Sequence, residues 1–158
     1  MNWGSWALWS FVATTVLTTL LAGSQELGLT RMSIPFMLGS VVTPDRDRAR
    51  LVGIGIHFVN GWLFGLLYAA AFQAWGAAGW LRGAAIGAVH AAFVLTVLMV
   101  ALPGMHPRMA GMGAGPTHVR QLEPPGFLGL HYGPRTPLSV LVAHLLYGAI
   151  LGAFYVRR

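Results

Sequence analysis

The chain has 158 residues, 56% of them hydrophobic and 9% charged, with a mean hydropathy of +0.65 and a formal net charge of +6. A soluble domain carries about a quarter charged residues, so too little polar side chain is present to coat a water-facing globule. Cysteine is absent, which excludes disulfides, thiolate metal centres and cysteine nucleophiles. The basic balance comes from ten Arg and no Lys against four acids, and the arginines flank apolar runs. Anionic lipid headgroups rather than nucleic acid are the partner such a pattern implies.

The first apolar run, 3–22, is close to the ~20 residues that cross a hydrocarbon core. Its first nineteen residues hold no Lys or Arg, the flank that a cleaved leader requires, so it is expected as a retained span. Residues 24–50 follow as an elbow broken by Pro and Gly. A second run covers 51–75, and five residues, "GAAGW", lead to a third at 81–102. So short a link makes the second and third spans antiparallel neighbours. A longer elbow, 103–136, precedes the last run at 137–156. The expected fold is all-α, one membrane domain of four transmembrane helices.

The chain also repeats itself. Residues 57–68, "HFVNGWLFGLLY", and 144–155, "HLLYGAILGAFY", share His-x-x-x-Gly-x-x-x-Gly-x-x-Tyr at an offset of 87. "FVATTVLTTLLAG" (11–23) lies over "AFVLTVLMVALPG" (92–104), and "PFMLG" (35–39) over "PGFLG" (125–129). His and Tyr number only six and four in the chain, so chance explains their match poorly. The pattern predicts two parallel-repeat hairpins, 3–76 and 81–156, with pseudo-two-fold symmetry about the membrane normal.

Seven arginines fall on the elbow side and three opposite, which places the elbows in the cytoplasm and both termini outside. Trp3, Trp6, Trp9, Trp75, Trp80 and Tyr155 form an aromatic belt at the other interface.

On a helix, His57, Gly61, Gly65 and Tyr68 share one stripe, and His144, Gly148, Gly152 and Tyr155 share its twin. Small residues at this spacing let backbones approach closely in lipid. Symmetry then predicts that spans two and four pack on each other through these glycines, with Gly83 and Gly87 offering a further contact. The glycines would otherwise clear room for a flat cofactor.

His57 and His144 lie about 9 and 10 Å inside the elbow face, counted at 1.5 Å per residue. Intramembrane ionisable residues are candidate functional sites. Three readings stand: neutral imidazoles bonded to neighbours near Asn60 or Tyr147, a metal site, or axial ligation of haem b. A tight glycine crossing leaves space for an ion but not for a porphyrin, unless the glycines face the ring. His90, about 13 Å from the opposite face, is expected to stand apart at a deeper level. In the second elbow Met105, His106, Met109, Met112, His118 and His131 combine thioether and imidazole ligands suited to copper. Their alternative role is to pack flexible turns.

No acid lies in any span, no catalytic triad or carboxylate pair occurs at membrane depth, and no phosphate-binding glycine loop is present, so no catalytic residue is assigned. The elbow "IPFMLG" (34–39), the span "GIHFVNGWLFGLLYAAAF" (55–72), "GWLRGAAIG" (79–87) and the closing "HLLYGAILGAFY" resemble a family of small bacterial four-helix integral membrane proteins classed as a domain of unknown function. That resemblance implies a four-helix fold in a bacterial inner membrane and brings no activity. The expected function is a non-catalytic accessory or scaffold subunit that docks on a membrane-protein partner or on a second copy. The alternatives are a haem- or metal-binding redox protein using the intramembrane histidines, and a small uncoupled transporter or channel.

Overall fold

The computed structural model describes residues 1–111, 117, 119–120 and 122–157. Four helices in it are long and apolar enough to cross a membrane: Trp3–Glu26, Arg46–Ala74, Trp80–Met105 and Thr136–Phe154. The first span is α1. A short helix, α2 (Ile34–Gly39), lies in the first elbow, and α3 (Arg46–Ala74) is the second span. The third comprises α4 (Trp80–Phe93), a π-helical turn over Val94–Leu98 and α5 (Met99–Met105). The fourth is α6 (Thr136–Phe154). No strand occurs among the described residues; Met109 and Leu122 form an isolated bridge.

Local chemistry sets the helix ends. Asn2 Oδ1 accepts from Ser5 N at 3.0 Å, and Asp45 Oδ1 accepts from Arg48 N at 2.8 Å, each satisfying an amide that the first turn leaves unpaired. Pro35 and Pro137 occupy first-turn positions, where a missing N–H costs nothing. Because of its Asp45 cap, α3 begins five residues earlier than the apolar run. α1 runs four residues past the expected end at 22, and α6 ends at Phe154. Leu63, Leu67, Val89 and Leu138 are more than half exposed, so the outer faces are apolar, as contact with lipid requires.

The glycines choose different partners from those the repeat suggests. A Cβ at Gly83 would overlap the Gly148 carbonyl, one at Gly87 the His144 carbonyl, and one at Gly152 the Gly79 carbonyl. α4 and α6 therefore pack backbone to backbone. A Cβ at Gly61 or Gly65 would instead meet the side chains of Thr14 or Ser10 on α1. The expected crossing of spans two and four through Gly61, Gly65, Gly148 and Gly152 is thus overturned. A stripe of small residues supplies closeness without naming its partner. α3 and α6 still touch, through Tyr68 against Tyr147 (ring centroids 5.4 Å apart) and the bond from the Tyr147 hydroxyl to Gly61 O (2.5 Å).

α1 and α3 are also held by a reciprocal pair of indoles. Trp6 Nε1 donates to Trp62 O at 3.1 Å, and Trp62 Nε1 donates to Ala7 O at 2.9 Å. The backbones of α3 and α4, neighbours in sequence, scarcely approach each other. Their side chains bridge the gap, with Phe64 stacked on His90 at 4.0 Å.

The two elbows latch together. His106 Nε2 donates to Met37 O at 2.9 Å, and the Arg108 guanidinium donates to the carbonyls of Ser40 and Val41. These acceptors sit at the C-terminal end of α2, where a cation is favourable. Gly39 and Gly53 seat α2 against the start of α3 with no room for a Cβ at either. On the other side Arg31 N donates to Tyr132 O at 2.7 Å, the Arg31 side chain bonds His131 O, and Thr30 and Thr136 share a hydroxyl bond of 2.7 Å. The Tyr132 hydroxyl donates to Glu123 O at 2.6 Å. Burial, with the Glu123 charge adding and Arg31 opposing, pushes that phenol up to about 12.

Candidate functional site: a histidine-floored cavity

Where α3 and α4 splay apart, a cavity of about 280 Å³ opens among all four spans. Its walls are chiefly apolar: Leu17 and Leu21 of α1, Met37 and Leu38 of the first elbow, and Val94, Leu98, Met99 and Leu102 beside the π-turn. Polar side chains gather where Thr14, His57, Asn60, His90, His144 and Tyr147 meet. Such a shape, apolar with a few convergent polar groups, is that of a small-molecule site. The π-turn borders it directly, a placement often seen at functional sites.

His57, His90 and His144 line this one cavity. The expectation that His90 stands apart is overturned: its ring lies 4.6 Å from that of His144, edge to face. Depths counted from opposite helix ends misplace it. The contact register decides, because Gly87 meets the His144 carbonyl and His90 follows three residues on, about 4.5 Å farther along the same face. The Gly83–Gly87–His90 spacing carries that signal in the sequence.

The hydrogen bonds are specific. His57 Nδ1 lies 3.0 Å from Thr18 Oγ1, and His144 Nδ1 lies 2.8 Å from Val140 O. His90 Nδ1 is 3.3 Å from the Tyr68 hydroxyl. Tyr68 and Tyr147 are buried in the core between these rings. Tyr155, expected in the interfacial belt and on the helical stripe, lies past the end of α6. It is 5% exposed and accepts from Gln73 Nε2 at 3.2 Å. Trp3, Trp75 and Trp80 remain well exposed, whereas Trp6 and Trp9 pack on the core.

The second-elbow residues are scattered. Met105 is 79% exposed at the cavity rim, and Met109 is buried. His106 has both nitrogens engaged, since Nδ1 also accepts from Arg108 N at 3.1 Å. His131 Nδ1 contacts Pro124 O at 2.8 Å. Met112 and His118 lie outside the described residues. No three His, Asp or Glu among the described residues are arranged to hold a metal.

A second, smaller cavity of about 180 Å³ lies at the elbow interface between Gln25, Arg50 and His57, so His57 borders both spaces. No family model matches the chain, and no curated protein or solved structure matches it.

Proposed function

We propose that the protein is a non-catalytic integral membrane protein that holds a mostly apolar, membrane-borne molecule in the cavity between its spans, as a component of a larger membrane assembly. The observation that carries this reading is the cavity itself: apolar walls and a few convergent polar groups among four spans. Methionines 37, 99 and 105 lining it provide the probe. Protein carrying ¹³C-methyl methionine in lipid nanodiscs, titrated with 4-hexyltoluene, should show saturable shifts at those three residues and not at Met1 or Met109. Ala101→Trp, which fills the cavity, should abolish them. Uniform, non-saturating shifts would reject the reading.

Haem or metal ligation at His57 and His144 is the second reading, favoured by two imidazoles facing one space. An absorption spectrum and metal analysis of the same purified sample test it; a Soret band surviving stringent washing would establish it.

Two structural proposals accompany this function. Each glycine stripe packs on the span preceding it in its own half, α3 on α1 and α6 on α4, which supports an origin by duplication of a two-span unit. The excess of arginine on the elbow side supports cytoplasmic elbows. A chain without cysteine makes that orientation simple to test, since single cysteines at Val42 and Gly76 should label from opposite sides of the membrane.

A further inference from the structure

The polar corner of the cavity is rich in hydrogen-bond acceptors. Thr18 gives its hydroxyl hydrogen to Thr14 O at 2.7 Å, so toward His57 it can only accept, and His57 Nδ1 carries the hydrogen. A carbonyl oxygen likewise only accepts, so His144 donates from Nδ1 to Val140 O. An imidazole protonated at Nδ1 leaves a lone pair at Nε2. Among the described residues neither Nε2 bonds a protein group, and both rings line the cavity. Thr14 has already given its hydrogen to Ser10 O at 2.7 Å, and Tyr147 has given its own to Gly61 O. Both hydroxyls therefore also present lone pairs. Asn60 adds a donor beside its acceptor, and His90, bonded to Tyr68 through Nδ1 alone, keeps its Nε2 free, a donor when the Tyr68 hydroxyl gives its hydrogen to Nδ1.

We propose that the cavity selects an apolar molecule headed by a hydroxyl, a phenol or long-chain alcohol, whose O–H is received by the Nε2 lone pair of His57 or of His144. This rests on the reading of the cavity as a ligand site. A carbonyl or ether head could bond only to Asn60 or His90 and would leave the lone pairs of His57 and His144 unpaired, which is costly. A bare cation finds too few ligands here, since no three-ligand group exists among the described residues.

The test compares 4-hexylphenol with 4-hexyltoluene, which differ by O–H against CH₃ at nearly equal size. Affinities are measured in nanodiscs by the methionine-methyl shifts and corrected for partition into lipid. Wild-type protein should bind the phenol roughly tenfold more tightly, the scale of one net hydrogen bond. The double substitution His57→Phe, His144→Phe should reduce that preference to near unity. Equal wild-type affinities would overturn the hydroxyl selection and leave the cavity reading standing. Failure of both probes to bind folded protein would overturn the cavity reading itself. If the double variant does not fold, wild-type protein with ¹⁵N-labelled histidine decides the matter. An unprotonated Nε2 resonance must move on phenol addition and stay still on hexyltoluene, and unmoved resonances would refute the proposal.

Discussion

The two His-x-x-x-Gly-x-x-x-Gly stripes share their histidine and both glycines and are used in different ways. On α6, Gly148 and Gly152 face main chain of α4, and the contact is bounded by carbonyl oxygens that cannot move without moving a helix. On α3, Gly61 and Gly65 receive the side chains of Thr14 and Ser10, and the contact is bounded by atoms that a mutation can remove. The first interface fixes a pair of helices, whereas the second sets a spacing. With α4 drawn onto α6 and α3 held on α1, the remaining seam between α3 and α4 opens into the cavity.

That contrast predicts a graded series. Gly148→Leu should have the largest effect, about 3 kcal/mol or more of lost stability by denaturation in mixed micelles. No single truncation on α4 should rescue it, because the obstacle is a carbonyl. Gly61→Ala should cost about 1–2 kcal/mol, and Thr14→Ala in the same chain should restore part of it, because the obstacle is a hydroxyl. Rescue of the first or failure to rescue the second would break the comparison.

The elbows extend the contrast to side chain on main chain. Arg108→Ala should cost about 1 kcal/mol, since its bonds to Ser40 and Val41 carbonyls are partly open to solvent. Hydrogen exchange should rise locally at residues 40–43. The smallest effect concerns Tyr132. Its phenol is pushed up to about 12, above the ordinary value of about 10, so the folded state holds the proton longer than the unfolded chain. Its stabilising contribution is complete below about pH 10 and is lost as pH rises toward about 12. Tyr132→Phe should flatten the stability profile in that interval, leaving the profile below it unchanged in shape.

The four spans were legible in the sequence because each is a continuous apolar run bounded by Pro, Gly or Arg. Helix partners were not, because Gly61 and Gly148 carry the same small-residue signal and nothing in it distinguishes a side-chain neighbour from a backbone neighbour. The three cavity histidines were partly legible. His57 and His144 stand out by repetition, while His90 is found only by extending the Gly83–Gly87 stripe one more turn. The π-turn has no breaker in Val94–Leu98 to announce it. The elbow latch leaves no trace on its accepting side, since any residue supplies a carbonyl.

That last property has an evolutionary consequence. The tip of the first elbow is gripped by atoms common to every amino acid, at Met37, Ser40 and Val41. Its exposed side chains, Val41 and Val42, are therefore free to drift and take on new outward contacts without disturbing the closure behind them. On the gripping side the constraint falls on His106 and Arg108.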